Sequence, residues 1–196
     1  TTSPVAATTT TIETVLASTT TIIDPEEWVG PRHPLTGLPA LEGIIPRPAL
    51  TVKIGNNDSN SLPHEGLAAA DIVYETLIEA GKTRFLGIYQ SSLPERIAPV
   101  RSARSTDISL IGNLSNPHFA YWGSNEGVGA EVEEAERSGT FIRQSAEINS
   151  SCAYSRYASR CYPLYDCVLN PAYLIGDLPA SAPIAIFDYG AGNIFS

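Results

Sequence analysis

Four arginines close together in the chain, Arg84, Arg96, Arg101 and Arg104, are the side chains best suited to chemistry. A guanidinium presents a planar fork of donors that grips a carboxylate or phosphate through two parallel hydrogen bonds. Ser102 and Ser105 place hydroxyls beside the last two arginines, in the run Val100-Arg-Ser-Ala-Arg-Ser105. If Arg84 lies in a strand, it shares a face with Leu86 and Ile88, where a charge is costly to leave unpaired. Glu75 and Glu79 precede it on the facing arm of a hairpin. Two readings stay open: the carboxylates neutralise the arginines in a structural network, or Arg84, Arg96, Arg101, Ser102 and Arg104 form an anion pocket with Glu75 and Glu79 beside them.

Asn170, in Val168-Leu-Asn-Pro171, reads first as a helix N-cap with proline in the first helical position and second as a ligand contact. Other chemistries find less support. Cys152, Cys161 and Cys167 stand at C-x8-C-x5-C, which is no usual zinc spacing, and the histidines, His33, His64 and His118, lie far off in sequence, so no metal site is expected. One disulfide among the three cysteines is expected in an oxidising compartment, with the pair left open. His64 and His118 are isolated and read as hydrogen-bonded structural residues before bases. No G-x-S-x-G elbow, H-E-x-x-H or phosphate loop occurs, and Tyr189-Gly-Ala-Gly192 is a lone glycine turn. No cofactor is expected.

The 196 residues carry a formal charge of −9, which argues against a nucleic-acid partner because phosphate contacts need a basic surface. The charge is uneven. Five of the twelve basic residues fall between Lys82 and Arg104, whereas Glu126, Glu131, Glu133, Glu134 and Glu136 make an acidic run that reads as a solvated helix face, or as a docking surface for an envelope protein. No window approaches the roughly 20 apolar residues of a membrane-spanning helix.

The elements that must position the arginines follow from periodicity. Residues 1–31 contain no Lys or Arg, and ten of the first 21 are Thr, the composition of a disordered tether that holds a domain away from an anchor. That favours an extracytoplasmic place. Residues 32–48, with five prolines counting Pro31, form an irregular lead-in, and the domain proper spans 49–196. Ala49–Gly55 alternates as a strand; Leu67–Ala70 makes one helical turn; Ile72–Glu79 and Thr83–Gln90 pair as a hairpin around Ala80-Gly-Lys82. Arg96–Val100 is a short strand, Ser105–Leu114 a helix capped by Ser105 or Thr106, His118–Trp122 a buried strand, and Glu126–Arg137 a helix closed by Gly139. A cysteine-containing irregular region, a short helix after Asn170 and a strand at Ala182–Tyr189 complete an α/β or α+β fold: a single mixed-sheet domain with flanking helices.

Four blocks carry a resemblance: Pro34-Leu-Thr-Gly-Leu-Pro39, Leu67-Ala-Ala-Ala-Asp-Ile-Val-Tyr-Glu75, Thr83-Arg-Phe-Leu-Gly-Ile-Tyr-Gln90 and, most specific, Glu95-Arg-Ile-Ala-Pro-Val-Arg-Ser-Ala-Arg104. Together they resemble the YerB-like family from about Pro34 into the 180s. The resemblance implies a secreted bacterial protein, lipid-anchored upstream of Thr1, with a domain of unknown function and a smaller C-terminal domain that is missing here, so that the chain reads as a truncated piece. The three cysteines, Lys82 in the hairpin turn, and Leu169 where a His precedes the family's Asn depart from that pattern. A fainter likeness of layout, Thr83-Arg84 opening a strand and Val-Arg-Ser-x-Arg feeding a helix, is similar to the LytR-CpsA-Psr phosphotransferases, whose arginines hold a polyprenyl-linked pyrophosphate. Only that alternative would call for magnesium, with Asp71 and Asp107 as the nearest carboxylates.

Overall fold

Strand β1 (Leu50–Asn56) explains the architecture, because it is buried along almost its whole length on both faces. Such a strand must lie in the middle of a sheet. In this computed structural model, which describes residues 27–148, 153–156 and 167–176, it does. The sheet runs β2-β3-β1-β4-β5, with β2 at Ile72–Leu77, β3 at Thr83–Tyr89, β4 at His118–Tyr121 and β5 at Ile142–Ser145. β3 is antiparallel to both β1 and β2, whereas β4 is parallel to β1 and β5 to β4. The domain is therefore α+β with a mixed sheet.

Alternation along β1 sorts its side chains between two cores. Leu50, Val52 and Ile54 join Tyr89, Ile97 and Val100 on one face, covered by the small ribbon of β6 (Tyr154–Arg156) and β7 (Cys167–Leu169). Tyr154 pins that ribbon, its hydroxyl donating to the Gln144 carbonyl at 2.8 Å. On the other face Leu86, Ile88, Phe119 and Phe141 pack beneath α1 (Ser105–Ile111) and α2 (Glu126–Arg137). Lys53 and Arg84 point into this second layer, since Lys53 faces Leu86 and Gly55 faces Arg84 across the β1–β3 ladder.

α2 forms where its signals agree: the Asn125 side chain accepts from the Val128 amide at 2.9 Å, Val128, Val132 and Ala135 make the buried stripe, and Gly139 ends the run at φ +80°. α1 differs from expectation. It stops at Ile111 rather than Leu114, and its cap is not Ser105 or Thr106. The Asp107 carboxylate instead turns back to accept the Arg104 amide at 2.8 Å, one half of a capping box. Arg96–Val100 is not a ladder strand but a chain of isolated bridges, Ile97 to Leu169, Ala98 to Glu65 and Val100 to Ile54, with a cis Ala98–Pro99 peptide between them. β5, β6 and β7 arise in the region expected to be irregular. Residues 1–26 of the tether expected over 1–31, the strand expected at Ala182–Tyr189, and Cys152 and Cys161 lie outside the described residues; Cys167 is buried at the start of β7.

Candidate functional site

The arginine segment is woven into the sheet. β1 and β4 pair directly only over Leu50–Val52 and His118–Ala120. Beyond that point the two parallel strands part and residues 99–103 pass between their carboxyl ends. Gly55 donates its amide to the Pro99 carbonyl at 2.9 Å and Arg101 its own to Lys53 at 2.9 Å on one side; on the other, Trp122 donates to Arg101 at 3.0 Å, and Ala103 to Gly123 at 3.0 Å. Diverging carboxyl ends of parallel strands are where open α/β sheets form ligand crevices.

Three guanidiniums meet there. Arg84 is 3% exposed and donates Nη1–H to the Ser102 carbonyl at 2.6 Å, while its Nε finds no hydrogen-bond partner among the described residues. Burial, with Arg104 and Arg101 as like-charged neighbours, pulls its pKa down to about 10. Arg101 lies over Gly55: a Cβ there would stand 2.7 Å from Arg101 Cγ, so only glycine leaves the side chain its path across β1. Arg104 turns to the hairpin, its Nε 2.9 Å from Glu79 Oε1 and its Nη2 donating to Glu79 Oε2 at 2.9 Å. The hydrogen bond from Arg104 holds the Glu79 carboxyl below its ordinary range.

Beneath them lies a pair that the sequence reading overlooked. Lys53 Nζ is 2.5 Å from Asp107 Oδ1 and 2.9 Å from the Thr76 hydroxyl, with both charged side chains fully buried. Desolvation outweighs their mutual attraction, lowering the pKa of Lys53 and raising that of Asp107. The sequence offers only a lysine alternating with Leu50, Val52 and Ile54 in a short strand; that its face is covered by helices follows from the central place of β1.

The remaining candidates disperse. Glu75 is on the opposite face from Arg84; its carboxylate accepts from Thr83 Oγ at 2.7 Å and Asn56 Nδ2 at 3.2 Å, so of the two glutamates only Glu79 serves an arginine in this way. Arg96 is exposed, its carbonyl oxygen 2.3 Å from where a Cβ on Gly66 would stand, and it precedes the bridge at Ile97 rather than entering the layer that holds Arg84. The half-buried Ser102 gives its carbonyl to Arg84, and its hydroxyl faces the Gly123 turn. Asn170 caps a short π-helical turn, Ala172–Gly176, accepting the Ala172 amide at 3.2 Å. Asp71 accepts the Gln90 and Ser91 amides at 2.5 and 2.8 Å and clasps the end of β3. His64 bonds the Gly55 carbonyl at 2.7 Å, and the buried His118 faces Gln144 at 3.1 Å. Among the described residues no group of three His, Cys, Asp or Glu side chains is arranged to hold a metal ion.

A mixed five-stranded sheet with helices on one face, split between parallel strands by an arginine-bearing segment, defines this as a small α+β domain with a basic centre at the split. The chain belongs to the DUF3048 N-terminal domain family, a family of proteins of unknown function, which it matches over residues 35–174. It is 40% identical over 102 residues to the Bacillus subtilis (strain 168) protein named "Putative lipoprotein YerB", a match covering 52% of this chain and 30% of that protein. Its structure is similar to the crystal structure of YerB from Bacillus subtilis with a TM-score of 0.64 and 31% identity, over 74% of this chain and 47% of that one. The chain thus spans less than half the length of the relatives it matches. The resemblance read from Arg96–Arg104 and the hairpin is confirmed by these matches.

Proposed function

We propose that this is the ligand-binding domain of an extracytoplasmic, lipid-anchored envelope protein, non-catalytic in itself, that holds an anionic cell-wall or lipid-linked ligand on Arg84, Arg101 and Arg104. The observation that carries the reading is the convergence of three guanidiniums, from β3, the inserted segment and the N-cap of α1, at the carboxyl ends of β1 and β4. Two of them are buried, and one of these, Arg84, has an Nε with no hydrogen-bond partner among the described residues. Buried donors in folded proteins are nearly always hydrogen-bonded, so an orphaned guanidinium nitrogen is a place for an acceptor. The lipoprotein designation of the Bacillus relative and the Thr-rich tether support the envelope address.

The test is titration of the 196-residue chain with inorganic pyrophosphate and, separately, with extracted wall polymer. Arg101→Ala and Arg104→Ala are expected to weaken binding together; binding unchanged in both variants sinks the reading. A phosphotransferase or hydrolase at the same cluster would draw on Asp71 or Asp107. Both are already committed to protein donors, and no further observation favours that alternative. Docking of an envelope protein on α2 is likewise without a specific observation, since Glu133, Glu134 and Glu136 are paired with Arg143 and Arg137.

A further inference from the structure

Glu79 already occupies the position that an anionic ligand would want. Its two oxygens take the Nε and Nη2 side of Arg104 in the two-point geometry by which a guanidinium holds any oxyanion. Yet nothing buries the carboxylate: the Glu79 side chain is 63% exposed, against 19% for Arg104. It stands at the start of the hairpin turn Glu79–Gly81, whose next two residues, Ala80 and Gly81, both have left-handed φ values of 60° and 67°. The turn therefore delivers one exposed carboxylate to the rim of the arginine centre while Arg84 and Arg101, deeper in, are 3% and 8% exposed.

Building on the anion-site reading above, we propose that Glu79 is a specificity-determining residue, an internal competitor seated on the Arg104 fork that excludes singly charged carboxylates and yields only to a multiply charged oxyanion of the phosphoryl type. A tethered group acts at an effective concentration of about millimolar or more, so a free carboxylate making the same two contacts must exceed that to displace it. An exposed ion pair is weak, however, and a ligand that adds contact to Arg101 or Arg84 gains what Glu79 cannot reach. Exchange of Glu79 for the ligand leaves the charge on Arg104 compensated throughout.

The proposal is tested by calorimetric titration of the 196-residue chain with inorganic pyrophosphate and with acetate, in the wild type, Glu79→Gln, Arg104→Ala and the double variant. Glu79→Gln is expected to bind pyrophosphate about three- to sixfold more tightly than the wild type, the fraction that an exposed pair of ordinary strength withholds. The gain should vanish when Arg104 is absent, and acetate should bind measurably only to Glu79→Gln. Pyrophosphate binding that is equal in wild type and Glu79→Gln, or a gain that persists in the Arg104→Ala background as a general effect of charge, overturns the competitor role while leaving the arginine site standing. No pyrophosphate binding by either the wild type or Glu79→Gln overturns the arginine site itself.

Discussion

Lys53 and Asp107 form a fully buried ion pair 2.5 Å apart that ties the middle of β1 to the first turn of α1, directly beneath Arg104. A buried pair is costly to break and cheap to replace: removing one partner strands a charge, at about 3–5 kcal/mol, whereas an apolar pair of similar volume is often neutral. Lys53→Met is therefore expected to lower the unfolding free energy strongly, and Lys53→Met/Asp107→Leu to recover most of the loss. A deficit of about 1 kcal/mol should remain in the double variant, because Asp107 also caps the Arg104 amide. Urea unfolding of the three proteins measures both numbers; a double variant as unstable as the single one contradicts the account.

Arg84 separates function from stability. Its charge is buried, disfavoured by Arg101 and Arg104, and incompletely hydrogen-bonded, so Arg84→Met should leave the unfolding free energy unchanged or raise it by up to about 1–2 kcal/mol, the sign expected where ligand binding opposes stability. Pyrophosphate binding should be lost in the same variant. A merely structural arginine would show the reverse, a large loss of stability.

His118 gives the fold an acid-side weakness. Burial holds its pKa below 6.5 in the folded protein, so the unfolded chain takes up the proton first as pH falls. The contribution of the neutral imidazole is fully present above pH 6.5 and drains away as pH drops from there through the folded-state value. The urea midpoint should fall between pH 7.5 and pH 5.5, and His118→Gln should flatten that slope; an identical slope in the variant assigns the effect elsewhere.

Gly66 tests the packing of the bridge segment. Its φ is +72°, and a Cβ would stand 2.3 Å from the Arg96 carbonyl oxygen, a backbone atom with no freedom to yield. Gly66→Ala should cost roughly 2–4 kcal/mol, combining left-handed strain with displacement of the chain. Gly81→Ala, at φ +67° with open space around it, should cost only about 1–2 kcal/mol. Thermal unfolding of the two variants side by side reads the difference.

The parts legible in the sequence were those fixed by neighbours along the chain. The hairpin announced itself through two β-branched arms and a glycine turn, and α2 through a run of glutamates closed by Gly139. β5, β6 and β7 did not, because strands of four, three and three residues have too little periodicity to be read, and they exist only through pairing with distant partners such as β4. The same limit applies to the site. Arg84, Arg101 and Arg104 stand out by type, but Lys53 becomes visible only when β1 is known to be central, and Glu75 separates from Glu79 only when the register turns its side chain to the other face. Arg96, alike in type and part of the same motif as Arg101 and Arg104, is placed apart by the bridge at Ile97.

The threading of residues 99–103 between β1 and β4 makes the length of this stretch more critical than its composition. Its main chain is hydrogen-bonded on both sides, so each residue is counted off against Lys53, Gly55, Trp122 and Gly123. A substitution at Ser102 or Ala103 would change one side chain and leave the others aimed as before. Inserting or deleting a single residue would slip the whole stretch by one pleat and turn the Arg101 guanidinium toward the wrong layer. Homologous proteins that keep this site should therefore tolerate new letters here but no gaps.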